Sequence, residues 1–380
     1  MERKILKRSY IFLLVLLQFF ISSCSNEKKQ EKQSSQFIED NTPAVEVFNR
    51  TSPSSVRMNE YFTHLSQIGA FNGVVLFADE GEVIYKRAFG YANFRKKEKL
   101  SVNSVFQLAS VSKQFTAFAI MMLKEQGKLS FSDSIRKFIP GFPYENITIR
   151  QLLTHNSGLP NYMYFADDYW QNKALPMTND DLIGMIIKNQ PKEICKPGRT
   201  YLYSNTGYAL LASIVEKVSG MRFQRFMREK VFLPLGMTHT FVMDYLEKPN
   251  LKNVAMGYEP GRREEPESYQ NGVVGDKGVY STLDDMLKWD QALYQGKLVG
   301  KDALEEAFSP AYKRPMPHNY GFGWRIKNAS DNEKIVYHGG WWKGYRSYIV
   351  RMLGTKRTII VLINSASHVP FHLEDLQELF

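Results

Sequence analysis

Three short patterns hold residues able to carry acyl-transfer chemistry. Ser110 and Lys113 stand three apart in "FQLASVSKQFTAF". Tyr203 and Asn205 lie in "KPGRTYLYSNTGYALL", and His338, Gly339 and Gly340 open "HGGWWKGYRS". A serine hydroxyl is a poor nucleophile until a neighbour takes its proton. A lysine three positions on shares its helix face. Burial and nearby positive charge lower a lysine pKa enough for it to act as that base. A tyrosine beside the lysine can accept and later return a proton. An asparagine donates and accepts at once, so it can hold both a lysine and a substrate carbonyl. Glycines at a strand edge let a substrate backbone approach, and an imidazole there can hydrogen-bond a carbonyl or the tyrosine.

None of these patterns is specific alone. Ser-x-x-Lys recurs at Ser25 with Lys28 and at Ser134 with Lys137, and Tyr-x-Asn recurs at Tyr91 and Tyr144. Each also has an ordinary reading: a capping serine with a surface lysine, a turn before a helix near Thr206, and a tight turn with a passive histidine. Context separates the serines. Ser25 lies in a polar tract, and Ser134 sits beside Asp133, Arg136 and Lys137 on an expected surface. Ser110 alone opens a run, 111–123, that is apolar on nearly every face and stops at Gly127. Such a run predicts a helix buried at the centre of the protein.

The surrounding elements follow from periodicity. "GVVLFAD" (73–79) and "EVIYKRAFGYA" (82–92), separated by Glu80-Gly81, predict an antiparallel hairpin. "TIRQLLTH", "NDDLIGMIIKN" and "TGYALLASIVEKVSG" are amphipathic, and "TLDDMLKWDQALYQG" begins with a capping Ser281 or Thr282 and acidic residues. Late strands are expected in "YGFGWRI", "KIVYHGG", "YRSYIVRML" and "RTIIVLINS". Strands at both ends with helices between predict an α+β fold. One antiparallel sheet is closed by distant segments, with a helical lobe inserted at about 130–276.

The chain has 380 residues, of which 43% are hydrophobic, enough for a large core. Residues 1–23 are read as a signal peptide: Arg3, Lys4, Lys7 and Arg8 precede an apolar run, 11–21, too short to span a bilayer comfortably. Ile21-Ser22-Ser23-Cys24 resembles a bacterial lipobox, in which Cys24 is lipidated and becomes the mature N-terminus. Residues 24–55, rich in Lys, Glu, Gln, Ser and Asn, read as a disordered tether. Order is expected from Val56, with a helix through Leu65. A lipidated Cys24 cannot pair with Cys195, the other cysteine, so no intrachain disulfide is expected. The formal charge is +10; the signal segment's four basic residues and Glu2 carry +3 of it, leaving +7 on scattered residues. With no nucleic-acid motif beside them, they describe a solvated surface.

The order Ser-x-x-Lys, Tyr-x-Asn, His-Gly-Gly resembles the serine β-lactamase-related family. That family includes class C β-lactamases, penicillin-recognising D,D-peptidases, D-aminopeptidases and esterases. "SVFQLASVSKQFTA", "ITIRQLLTHNSGLP", "PGRTYLYSNTGYALL", "LPLGMTHT", "GVYSTLDDMLKWDQAL", "YGFGW" and "HGGWWKGYRS" are similar to family segments in family order. The resemblance covers 56–380. It implies a β-lactamase/transpeptidase-like fold, with an antiparallel sheet flanked by helices and an inserted all-helical lobe. By that resemblance Ser110 is the acylated nucleophile, and Lys113 and Tyr203 share the base role. Asn205, His338, Gly339, Gly340 and Trp341 bind substrate, and the backbone N–H groups of Ser110 and Trp341 form the oxyanion hole.

The third box departs from true β-lactamases, which usually carry lysine, then Thr or Ser, then Gly. His338 and Gly339 predict weaker carboxylate binding, and nothing matches the acidic deacylation loop of class A enzymes. The expectation is a serine hydrolase acting on small esters, amides or peptides. A β-lactamase, or a penicillin-binding or sensor protein without turnover, is the alternative. His155 is expected to shape a loop, and Asp276 and Lys277 to line the cleft. Trp341, Trp342 and Tyr345 are expected to stack on substrate or to pack in the aromatic core or at the rim. His64, His239 and His318 have no acid or cysteine at ligand spacing, so neither metal nor cofactor is expected. The expected location is the bacterial cell envelope, at the outer membrane, through the lipid on Cys24.

Overall fold

The computed structural model describes residues 46–245, 252–312, 319–328, 333–366 and 373–380. Cys24, the signal segment and most of the expected tether lie outside them.

The large sheet has eight strands: β1 (Val47–Phe48), β2 (Gly73–Asp79), β3 (Glu82–Phe89), β4 (Asn319–Tyr320), β5 (Arg325–Asn328), β6 (Lys334–Trp342), β7 (Tyr345–Met352) and β8 (Arg357–Ile363). Its order is β1-β3-β2-β8-β7-β6-β5-β4, with antiparallel neighbours throughout. The pairing of β2 with β8, Gly73 against Ile363, joins the two ends of the domain. "GVVLFAD" and "RTIIVLI" are apolar at almost every position because both faces of the sheet are covered. Val74, Leu76, Ile360 and Leu362 enter one core, and Val75, Phe77, Ile359 and Val361 enter the other.

Six helices matter here: α1 (Pro53–Gln67), α2 (Lys113–Glu125), α3 (Tyr162–Tyr169), α4 (Asn179–Asn189), α5 (Asn205–Ser219) and α6 (Leu283–Gln295). Helix α1 covers one face of the sheet with Met58 and Phe62. On the other face α2 is buried at all eleven positions from Lys113 to Leu123, packed between α5, α6 and the sheet. Trp289 of α6 packs at a tilt against Phe115, with ring centroids 4.5 Å apart, and donates to Gln114 Oε1 at 3.0 Å. The helical segment between β3 and β4 returns through a small sheet of Phe106–Gln107, Val279–Ser281 and Phe241–Val242.

Three expectations needed revision. The first element among the described residues, β1 at Val47, lies inside the expected tether, where Phe48 packs edge-on against Tyr85 while β1 pairs with β3. The helix expected from Val56 starts at Pro53, capped by Ser52, a capping serine followed by proline that "TSPSSV" already contained. The predicted strand "YGFGWRI" breaks into β4 and β5. Between them Gly323 (φ +80) crosses the start of α2 so closely that a Cβ would lie 2.9 Å from the Lys113 carbonyl.

Asp290 of α6 and Arg351 of β7 form a buried ion pair at 2.5 Å, which ties the helix to the sheet. Replacing Asp290→Ala leaves that guanidinium buried without a counter-charge. The expected loss is about 3–5 kcal/mol of stability, read as a lower urea midpoint with unchanged slope.

Candidate active site

Ser110 sits in a 3-10 turn, Ala109–Ser112, between the strand Phe106–Gln107 and α2. The helix proper starts at Lys113, so Ser110 precedes it rather than opening it. Ala109 has φ +48, a left-handed conformation that costs alanine roughly 1–2 kcal/mol. The turn is pressed against the sheet. Ser347 Oγ donates to the Leu108 carbonyl at 2.5 Å, and a Cβ on Gly340 would lie 2.3 Å from the same oxygen. Glycine at 340 is therefore required by the approach of the nucleophile turn to β6. The Ser112 hydroxyl accepts from Val279 N–H at 3.1 Å and locks the turn to the small sheet.

Lys113 is fully buried, and its ammonium has three neighbours. They are Ser110 Oγ at 3.1 Å, Asn205 Oδ1 at 2.8 Å and the Asp276 carbonyl at 2.8 Å. Two of these, an amide oxygen and a carbonyl, can only accept. A neutral amine that donates to both has its lone pair aimed at the third, Ser110. Burial pushes Lys113 down to about 7; the nearby Asp276 charge opposes this, and Arg325 adds to it. The geometry and the lowered pKa both suit proton abstraction from Ser110.

Tyr203 is placed by His155. The His155 carbonyl accepts from Leu202 N–H at 2.8 Å, and its Nδ1 accepts from Ser204 N–H at 3.2 Å. Its ring lies 4.1 Å from the Tyr203 ring. The residues on both sides of Tyr203 are thus bound to one histidine. Burial pushes the Tyr203 hydroxyl well above the ordinary tyrosine value, and the neighbouring Ser110 hydroxyl opposes the shift. The two expected bases therefore differ. Lys113 is easily deprotonated near neutrality, whereas Tyr203 keeps its proton and can pass one on. Asn205, at the start of α5, completes the group.

The third box runs along the outer end of β6. The hairpin closes at Trp342 against Tyr345. Ladder bonds alternate from that closing pair, which turns the Trp341 N–H away from β7. The opposite edge is uncovered there, because β5 pairs with β6 only as far as Tyr337. This is where an oxyanion donor facing Ser110 belongs.

A family profile described as Beta-lactamase matches residues 58–379. The chain belongs to the beta-lactamase family. It is 38% identical over 317 residues to penicillin-binding protein 4* of Bacillus subtilis (strain 168), covering 80% of this chain and 70% of that one. The solved octameric penicillin-binding protein homologue from Pyrococcus abyssi has a TM-score of 0.74 and 30% identity, over 83% of this chain and 74% of that chain. A D-amino acid amidase from Ochrobactrum anthropi SV3 shares the fold, with a TM-score of 0.69 and 22% identity over 86% and 96% of the two chains. The expected family and fold are borne out.

Within this beta-lactamase-family site, His338 differs from its expected role. It is 1% exposed, with Nδ1 2.8 Å from the Gly339 carbonyl and Nε2 2.9 Å from Tyr320 Oη. A carbonyl cannot donate, so Nδ1 carries the proton and Nε2 accepts from the tyrosine. Burial, then Lys113 and Arg325, hold its pKa well below the usual histidine value. Both ring nitrogens are engaged inside the protein, so the imidazole supports β6 instead of facing substrate. A Cβ on Gly339 would meet the Tyr348 ring at 3.3 Å, and Trp341 is 67% exposed at the rim. Trp342 and Tyr345 pack inward, donating to Asn271 Oδ1 and the Ala255 carbonyl at 2.7 Å each.

Sequence reasoning missed Arg325 and Tyr162. Arg325, at the start of β5, places its guanidinium 5.7 Å from the Tyr203 ring centroid. Nothing in "YGFGWRI" marks it, because its nearness depends on β5 lying beside β6. Tyr162, at the start of α3, donates its hydroxyl to Asp276 Oδ2 at 2.9 Å. Asp276 does not line the cleft: its side chain is fully buried, and its carbonyl is what touches Lys113. No group of acidic, histidine or cysteine side chains among the described residues is arranged to hold a metal.

A Lys113 that takes the Ser110 proton must be neutral, so acylation of Ser110 by that route should follow its titration. Labelling by a fluorophosphonate is expected to rise about tenfold per pH unit on the acid side and level off above a midpoint of about 7.

Proposed function

We propose that the protein is a serine hydrolase that forms an ester on Ser110 and hydrolyses it. The observation that carries this is the arrangement at Lys113, where two obligate acceptors aim the amine at Ser110 Oγ. Lys113 takes the hydroxyl proton as Oγ attacks the substrate carbonyl carbon. The oxyanion lies between the backbone N–H groups of Ser110 and Trp341. The leaving group departs with a proton passed through Tyr203, and water then attacks the ester with the same groups in reverse.

The substrate class we favour is an amide or peptide of a D-amino acid with a free carboxylate, together with simple esters. His338 supplies no cation for a carboxylate. Arg325 supplies one at the same edge of the site, beside Tyr203, which offsets the weakness expected from the third box. The relatives named penicillin-binding protein favour this reading over a β-lactamase. We also propose that the protein is tethered to the outer membrane through a lipid on Cys24, resting on the signal-like start and "ISSC".

A panel of p-nitrophenyl acetate, a D-alanyl-D-alanine peptide and a chromogenic cephalosporin tests the reaction. Wild type should hydrolyse the first two, and Ser110→Ala neither; equal rates for the two proteins would refute the proposal. Arg325→Gln should lower kcat/KM for the carboxylate-bearing peptide about ten- to hundredfold, the loss of a charge-assisted bond, while the ester is little changed. For the anchor, an alkyne fatty acid fed to an expressing bacterium should label wild type and not Cys24→Ala.

A further inference from the structure

The environment of Lys113 contains a charge imbalance. The groups that face it come from six places. They are Ser110 on its own turn, Tyr203, Asn205 and Tyr208 on and before α5, and Asp276 with Lys277 on the loop 275–278. His155, Arg325 of β5 and His338 of β6 complete the set. Asp276 is the one carboxylate in this set, against two buried lysines and a half-buried arginine. One buried carboxylate can compensate one buried ammonium; a second is left to face the desolvation cost.

The geometry shows which lysine has that carboxylate. Lys277 is 2% exposed, and its Nζ lies 3.6 Å from Asp276 Oδ2. The same Nζ donates to the Tyr162 hydroxyl and to the Val273 carbonyl at 3.2 Å. The Tyr162 hydroxyl in turn donates to Asp276 Oδ2 at 2.9 Å, closing a triangle of carboxylate, phenol and ammonium. The Trp342 ring closes the far side of this ammonium, with its centroid 4.9 Å away. Lys113 touches Asp276 only at its backbone carbonyl. Asp276 Oδ1 is buried with no hydrogen-bond partner, so the carboxylate has capacity to spare should a competing cation be removed.

We propose that Lys277 is a positioning residue for the hydrolase reaction: by holding the Asp276 carboxylate it leaves Lys113 the less compensated lysine, and so favours its neutral, proton-accepting form. The idea rests on the serine-hydrolase reading above. It adds that the neighbouring lysine sets the pH range of the base. Burial lowers Lys277 to about 8, and the Asp276 carboxylate it touches opposes the shift.

The test is the pH dependence of fluorophosphonate labelling of Ser110, which reads the base directly and does not need deacylation. Wild type is compared with Lys277→Met, Lys277→Gln, Lys277→Arg, Asp276→Asn and the Asp276→Asn/Lys277→Met pair. In Lys277→Met and Lys277→Gln the freed carboxylate attracts a proton onto Lys113. The midpoint should move up by about one pH unit, making the acid-limb rate about tenfold lower, with the high-pH plateau retained. Lys277→Arg should keep the wild-type midpoint. Asp276→Asn should move it down, and the paired variant should cancel the upward shift. A lowered plateau with an unmoved midpoint in both neutral Lys277 variants would show a merely structural role and overturn the proposal. An unmoved midpoint with a retained plateau would overturn it too. Should neither neutral variant fold, Asp276→Asn decides: a midpoint that stays or rises overturns it. If wild type and Ser110→Ala label alike, it is the hydrolase reading itself that fails.

Discussion

The site depends on a lysine amine forced to donate in two directions. Lys113 lies in the middle of the protein, where an ammonium is costly to hold. Asn205 Oδ1 and the Asp276 carbonyl each require an N–H from it. With those bonds made, the remaining direction belongs to Ser110. Much of the surrounding architecture keeps this triangle in place. The strand pair β2–β8 closes the sheet behind α2. Helix α5 delivers Asn205, and the loop after Val273 delivers the Asp276 carbonyl.

The nucleophile turn is held by similarly local constraints. It carries a left-handed alanine and is pressed onto β6 so tightly that position 340 admits no side chain. The contact explains why the third box needs Gly340 whatever precedes it. With His338 turned inward onto Tyr320, the substrate-facing part of that strand is backbone. The neighbouring strand instead places the Arg325 guanidinium beside Tyr203.

Several structural features were legible before any coordinates. The all-round apolar run after Ser110 announced a central helix. The strands at both chain ends announced a sheet closed by distant segments. The order of the three boxes and the segments from "SVFQLASVSKQFTA" to "HGGWWKGYRS" announced the family. The start of the ordered domain was less legible, although Ser52-Pro53 was a helix-start signal. Residues 47–48 are too few to show a strand period, and only their partner β3 makes them one. "YGFGWRI" has strand composition, but its glycines serve a crossing over Lys113 that no local pattern records.

Residue types and spacing by themselves singled out Ser110 with Lys113 as a candidate pair, because Ser-x-x-Lys before a buried helix is a local feature of one turn; the roles of these residues and of Tyr203 and Asn205 came with the family resemblance. Residue types also determined the two-faced burial of β2 and β8, since an unbroken apolar strand has to be covered on both sides. Only the tertiary structure decided how the charges are shared. His338, Arg325, Asp276, Lys277 and Tyr162 come from four separate segments. Whether each is buried, paired or facing the cleft depends on which of them become neighbours. Electrostatic energies depend on distance and on exclusion of water, and both arise only when those segments pack.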